Sequence, residues 1–120
     1  MISTIVNVFF SIQFRLLKIT LLFFPGVSTL AGFHSRAIYD VDWCHKSGLL
    51  ATAGGDDAIK IFAEDTSECT DSKNAPNFVC LVNQNAAHDQ DVNCVAWNPV
   101  SQGLLASCGD DGEVKIWQIK

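Results

Sequence analysis

The sequence predicts an all-β chain of two consecutive antiparallel β-meanders, and three observations predict it. Short apolar runs at Val92–Trp97, Leu104–Cys108 and Val114–Trp117 are each of strand length and are separated by turn residues. The turns carry specific chemistry. Asn98-Pro99 ends the first run, because Pro has no ladder donor and Asn tolerates turn geometry, and Asp111-Gly112 is a hairpin dipeptide between the other two. Finally, the pattern occurs twice. His34 and His88 lie 54 residues apart, as do Trp43 and Trp97, and from Gly48/Gly103 to Phe62/Trp117 the spacing is 55. The single extra residue falls in the turn after Trp97.

Taken in order, Met1–Phe24 is rich in Ile, Leu, Val and Phe but is broken by Gln13, Arg15 and Lys18. It is a hydrophobic N-terminal segment compatible with a helix. A secretory signal carries its charge ahead of its apolar core, whereas here only Ile19–Phe24 follows the cations. The segment, residues 1–26 with its Pro25-Gly26 boundary, is therefore expected to be a poorly ordered leader or an artefact of the gene model, with a signal or anchor as the alternative. Residues 27–120 form the second unit. Val27–Leu30 is expected to be a short outer strand of a preceding sheet. The first repeat, about 33–63, gives strands at Ile38–Trp43, Leu49–Ala53 and Ile59–Phe62. Glu64–Asn77 is polar, acidic and aperiodic, which predicts a surface loop. Phe78–Val82 is the fourth strand, and Asn83–Ala87 leads into the second repeat, about 87–120. A His before the first strand and a Trp ending the third resemble one blade of a WD40 β-propeller. The chain thus reads as about two blades, and since a blade buries its faces only against neighbours, it is expected to fold poorly alone or to pair with other chains.

The balance of charge narrows the partners. The chain carries a net −5, and residues 27–120 hold six Lys and Arg against all thirteen acids, a balance of −7. Such a surface lacks the clustered cations that nucleic-acid backbones require, so no nucleic acid is expected, and basic protein partners suit it. The five cysteines are odd in number and form no C-x-x-C pair, which predicts neither a disulfide framework nor a zinc site. Cys44, Cys94 and Cys108 fall in or at the end of strands and are expected to be small buried hydrophobes, with free thiols suited to a reducing compartment. Cys69 lies in the polar insert and is expected to be exposed.

The residues with chemistry are His88, Ser107, Asp111 and Trp117. In WD40 blades these positions form a network in which Asp accepts from the imidazole, the imidazole meets the hydroxyl, and the hydroxyl meets the indole N–H. The same types make a Ser-His-Asp triad, but no nucleophile elbow such as G-x-S-x-G accompanies them, so the role is read as structural and no catalytic residue is assigned. In the first repeat the counterparts are His34, Thr52, Asp56 and Phe62. Phe62 has no N–H, which predicts a weaker or water-completed network there. The doublets Asp56-Asp57 and Asp110-Asp111 are read as turn caps, since no carboxylate follows at calcium-loop spacing, and no metal or cofactor is expected. Arg36, Asp89 and Gln90, in equivalent loops entering the inner strands, are candidates for surface contact.

Three strings go beyond a generic repeat: G-F-H-S-R-A-I-Y-D-V-D-W-C (Gly32–Cys44), A-H-D-Q-D-V-N-C-V-A-W-N-P (Ala87–Pro99) and G-L-L-A-S-C-G-D-D-G-E-V-K-I-W (Gly103–Trp117). With them the chain from about Val27 to Trp117 resembles the C-terminal end of the WD40 proteins of cytosolic iron–sulfur protein assembly. The resemblance implies the last two blades of a seven-bladed scaffold, without the earlier blades and with an unrelated residue 1–26 segment. It implies a non-catalytic adaptor that helps deliver clusters to apo-proteins in the cytoplasm and nucleus. The implied partners are the other targeting-complex subunits (a small subunit with a reactive cysteine and a HEAT-repeat adaptor) and client proteins. Other readings are a WD40 scaffold of another complex, such as a ubiquitin-ligase substrate receptor, a truncated non-functional fragment, or a membrane-anchored or secreted piece directed by Met1–Phe24.

Overall fold

A computed structural model describes residues 26–67 and 76–120. Seven strands follow one another: β1 (Ile38–Trp43), β2 (Leu50–Gly54), β3 (Ile59–Glu64), β4 (Phe78–Gln84), β5 (Val92–Trp97), β6 (Leu104–Gly109) and β7 (Val114–Gln118). They make two antiparallel meanders, a four-stranded sheet in the order β1-β2-β3-β4 and a three-stranded sheet in the order β5-β6-β7. Every predicted meander strand is present, with ends shifted by a residue or two. The extension of β4 to Gln84 has a local cause: Asn83 lies opposite Lys60, whose ammonium donates to the Asn83 side chain. Glu64 belongs to β3 and faces Phe78, and the loop closes just beyond it where the Asp65 N–H donates to the Asn77 carbonyl at 2.7 Å.

Val27–Leu30 departs from expectation and forms no strand. A strand is held by a hydrogen-bonded neighbour, and no described residues lie in position to pair with this one. The helical reading of the N-terminal segment and the exposure of Cys69 lie outside the described residues. Among those described, no helix is long and apolar enough to cross a membrane.

The repeat spacing sets which side chains meet. Directly opposed residues share a face of a sheet. In the first sheet one face gathers Asp40, Asp42, Ala51, Ala53, Ile59 and Ile61. In the second, Val95, Trp97, Leu105 and Ser107 share a face with Lys115 and Trp117. These two faces pack together, and the core is made of Ala51, Ala53, Ile59 and Ile61 from one with Val92, Val95, Trp97 and Leu105 from the other. Small alanines opposite bulky Trp97 and Leu105 let the sheets interdigitate at close range.

Two carboxylates lock this interface. Asp40 accepts from the Val95 N–H at 2.9 Å, and Asp42 accepts from the Trp97 N–H at 2.6 Å. The Trp97 indole donates to the Asp42 carbonyl at 3.2 Å. The free edge of β5 is thereby paired by side chains of β1, where an unpaired edge would leave buried donors unsatisfied.

Candidate functional site

Each sheet carries a buried polar relay at the end where the chain enters its inner strand. In the second sheet, Trp117 Nε1 donates to Ser107 Oγ at 2.8 Å, and Ser107 Oγ lies 2.8 Å from His88 Nε2. His88 Nδ1 lies 2.9 Å from Asp111. The ionised Asp111 can only accept, so the His88 proton facing it sits on Nδ1; in the neutral ring Nε2 then accepts from the Ser107 hydroxyl, whose oxygen in turn accepts from the indole N–H. Asp111 also accepts from the backbone N–H of Asp89 and of Glu113, both at 3.0 Å. Burial opposes its charge, but the hydrogen bonds from Glu113 N–H, the His88 ring and Asp89 N–H outweigh it and lower the carboxyl to about 2.

The first sheet repeats this with one link changed. His34 Nδ1 lies 2.9 Å from Asp56, His34 Nε2 lies 2.7 Å from Thr52 Oγ1, and the Ser35 N–H donates to Asp56 at 3.0 Å. Burial opposes the Asp56 charge as well, and the bonds from His34 and Ser35 still lower its pKa. Where the second sheet has its indole, Phe62 is buried and meets Phe33 edge-on, ring centroids 5.0 Å apart. Aromatic packing replaces the missing hydrogen bond here. Among the described residues no buried side-chain nitrogen or oxygen lacks a partner.

Sequence reasoning missed two features of these relays. Gly54 and Gly109 occupy the same place 55 residues apart, and each lies against the imidazole. A Cβ on Gly54 would come within 2.5 Å of His34 Nδ1, and one on Gly109 within 2.8 Å of the Asp91 carbonyl and 3.0 Å of His88. The recurrence of glycine at that spacing was the available signal. The other is the Asp40/Asp42 lock, signalled by acids at alternate positions of an otherwise apolar strand.

The outer ends of the relays form a polar rim. Arg36 is exposed and its guanidinium lies 3.4 Å from Asp91, which also accepts from Tyr39 Oη at 3.1 Å. Asp89 and Gln90 are exposed beside them. The relay holds this rim in place, since Asp56 and Asp111 grip the backbone of Ser35 and Asp89, the residues next to Arg36 and Gln90.

The Ser107 hydroxyl is buried and already committed to Trp117 and His88. His88, Asp111 and Glu113 are a cluster of potential metal ligands, but both imidazole nitrogens are engaged in the relay. The cysteines correct one expectation. Cys44 is buried and Cys108 half-buried, but Cys94 is exposed, because it lies on the face of the second sheet turned away from the first. Its thiol bonds to the Asp40 carboxylate, which together with partial burial pushes it up to about 11, away from thiolate reactivity.

Two successive meanders, each closed by a His–Ser/Thr–Asp relay, define a repeat protein of the propeller type. The family model "WD domain, G-beta repeat" matches residues 27–62 and 79–118, and the chain belongs to the WD40 family. More particularly, it is similar to "Probable cytosolic iron-sulfur protein assembly protein Ciao1" of Drosophila mojavensis, 56% identical over 95 residues, covering 78% of this chain and 28% of the relative. It is similar also to the protein named CIAO1, with the same description, of Homo sapiens, 55% identical over 92 residues, covering 77% of this chain and 26% of that one. The mouse relative gives the same figures. The chain thus spans about a quarter of the length of these relatives.

Proposed function

We propose that this chain serves as a non-catalytic docking module in cytosolic iron–sulfur protein assembly, acting through protein–protein contacts at its polar rim. The observation that carries this reading is the 55–56% identity to assembly proteins across more than three-quarters of the chain. A generic WD40 repeat shares the relay and the turns, but the likeness here extends through whole blades. The relay supports the non-catalytic part, since it spends its hydroxyl and both imidazole nitrogens internally and fixes the loops carrying Arg36, Asp89 and Gln90. The acidic balance suits partners with basic surfaces. The partners in this reading are the other targeting-complex subunits and apo iron–sulfur clients, in the cytoplasm and nucleus. Residues 27–120 form the two-blade unit, with residues 1–26 a separate leader.

Affinity purification of the tagged full chain tests this. Recovery of iron–sulfur assembly subunits, reduced several-fold by Arg36→Glu, is the expected result. Recovery of ubiquitin-ligase subunits without them would transfer the chain to another assembly.

A further inference from the structure

The hairpin turn between β6 and β7 contains a peptide bond that is chemically weak. Gly112 sits there at φ +77°, in the left-handed region that glycine enters without steric cost. Its image in the first repeat, 55 residues earlier, is Asp57, which holds the same region at φ +62° with a side chain attached. The second repeat therefore has an Asp-Gly bond where the first has Asp-Asp. It is the single Asp-Gly of the sequence, and no Asn-Gly occurs. Such a bond is prone to rearrange, because no side chain on the following residue shields its nitrogen.

The rearrangement is intramolecular. The Gly112 nitrogen attacks Asp111 Cγ, a carboxyl oxygen leaves as water, and a five-membered succinimide forms. Water then opens the ring. Opening at Cγ restores aspartate, and opening at the α-carbonyl leaves the Gly112 nitrogen bonded to Cγ, which is isoaspartate. The water lost in the first step is regained in the second, and no other reagent takes part.

In the folded chain both reacting groups are engaged elsewhere. Asp111 Oδ2 lies 2.9 Å from His88 Nδ1 and accepts from the Asp89 N–H at 3.0 Å, while Oδ1 accepts from the Glu113 N–H at 3.0 Å. The Asp111 side chain is only 7% exposed, so it has little room to turn. The Gly112 N–H donates to the Gly109 carbonyl at 3.1 Å. To cyclise, the carboxyl must leave its donors and the Gly112 nitrogen must leave its acceptor.

We infer that Asp111-Gly112 is a latent isoaspartate site, kept from cyclising by the His88–Asp111 relay and released when that relay opens. Isoaspartate runs the main chain through Cγ. It adds a methylene between residues 111 and 112 and leaves the free carboxylate on the α-carbon. A carboxylate displaced in this way no longer spans His88 Nδ1 and the Asp89 N–H, so a relay that opens and rearranges does not close again, and the loop carrying Asp89 and Gln90 loses its hold. The rearranged chain is then a substrate for an isoaspartate-directed methyltransferase, which esterifies that carboxylate with the methyl group of S-adenosylmethionine. In the first repeat Asp56 is held by an equivalent relay, but the Asp57 side chain crowds the nitrogen that would attack.

The test follows isoaspartate over weeks at physiological temperature in the full chain, both in buffer and in denaturing guanidinium chloride. Methyl transfer from labelled S-adenosylmethionine by an isoaspartate methyltransferase quantifies it, and electron-transfer fragmentation of the digested chain locates it. The expected result is accumulation at residue 111 in the denatured chain, at a rate about tenfold or more lower in the folded chain, with little at residue 56 in either. Ser107→Ala removes one anchor of the His88 ring and should raise the rate in buffer several-fold, with far-UV circular dichroism to verify folding. If that variant fails to fold, the unsubstituted chain below its unfolding transition in guanidinium chloride serves, where partial opening should raise the rate in the same way. Gly112→Asp, which copies the first repeat, should remove most of the signal at residue 111 in the denatured chain. Equal rates in the folded and denatured chains would overturn the proposal. So would a folded-state rate that opening the relay does not move, or isoaspartate that arises first at another residue of the denatured chain.

Discussion

Ser107 is held between a donor and an acceptor that have no other relay partner, and that position sets its cost. Ser107→Ala strands the Trp117 N–H and His88 Nε2 together, each costing about 1–3 kcal/mol when buried and unpaired. Thr52→Val strands only His34 Nε2, so its cost should be near half. Urea midpoints of the two variants check the ordering, and equal losses would contradict the relay as drawn. The carboxylates add a pH dependence. Asp111 and Asp56 are depressed in the folded chain, so their contribution is present above the unfolded value of about 4 and is lost as pH falls toward the folded one. The urea midpoint should decline from about pH 4 toward about pH 2, and a flat profile across that window would show that the acids are not coupled to folding. These four-residue sets were legible in the sequence because His, Ser/Thr, Asp and aromatic recur at fixed spacing. The replacement of an N–H by ring packing at Phe62 was only half legible: the lost donor shows in the residue type, but Phe33 as its compensation depends on where a loop returns.

At the scale of the element, the turn following β6 is shaped by close approach. Gly109→Ala would push a methyl to 2.8 Å from the Asp91 backbone carbonyl, which cannot rotate away, and against the imidazole. A loss of about 1–3 kcal/mol in unfolding free energy is expected, the usual range for overpacking. A variant as stable as the parent would mean that the His88 loop yields freely. Strand positions were legible because each run is bounded by turn residues and each hairpin is short. The ends of β4 were not, since they depend on the long Lys60 side chain finding Asn83 across the sheet. Val27–Leu30 marks the limit of local pattern. Its four residues have strand propensity, but none of the described residues offers them a hydrogen-bonded neighbour.

Across the whole molecule, two sheets are joined by an apolar face and two carboxylates. Asp42→Ala should release the Trp97 amide, whose hydrogen exchange would quicken about tenfold or more while amides in the β2–β3 ladder hold their rates. Uniform acceleration in both sheets would instead indicate that the acid supports global stability. Composition and repeat spacing by themselves determined the strand order, the two meanders, the relay residues and the family, because those follow from local periodicity and from the recurrence of a residue type at a fixed interval. Only the tertiary structure decided that Asp40 and Asp42 cap a neighbouring strand and that Cys94 faces outward beside a carboxylate. Those depend on which surfaces meet, and a periodic sequence presents the same surface whether or not a neighbour lies against it.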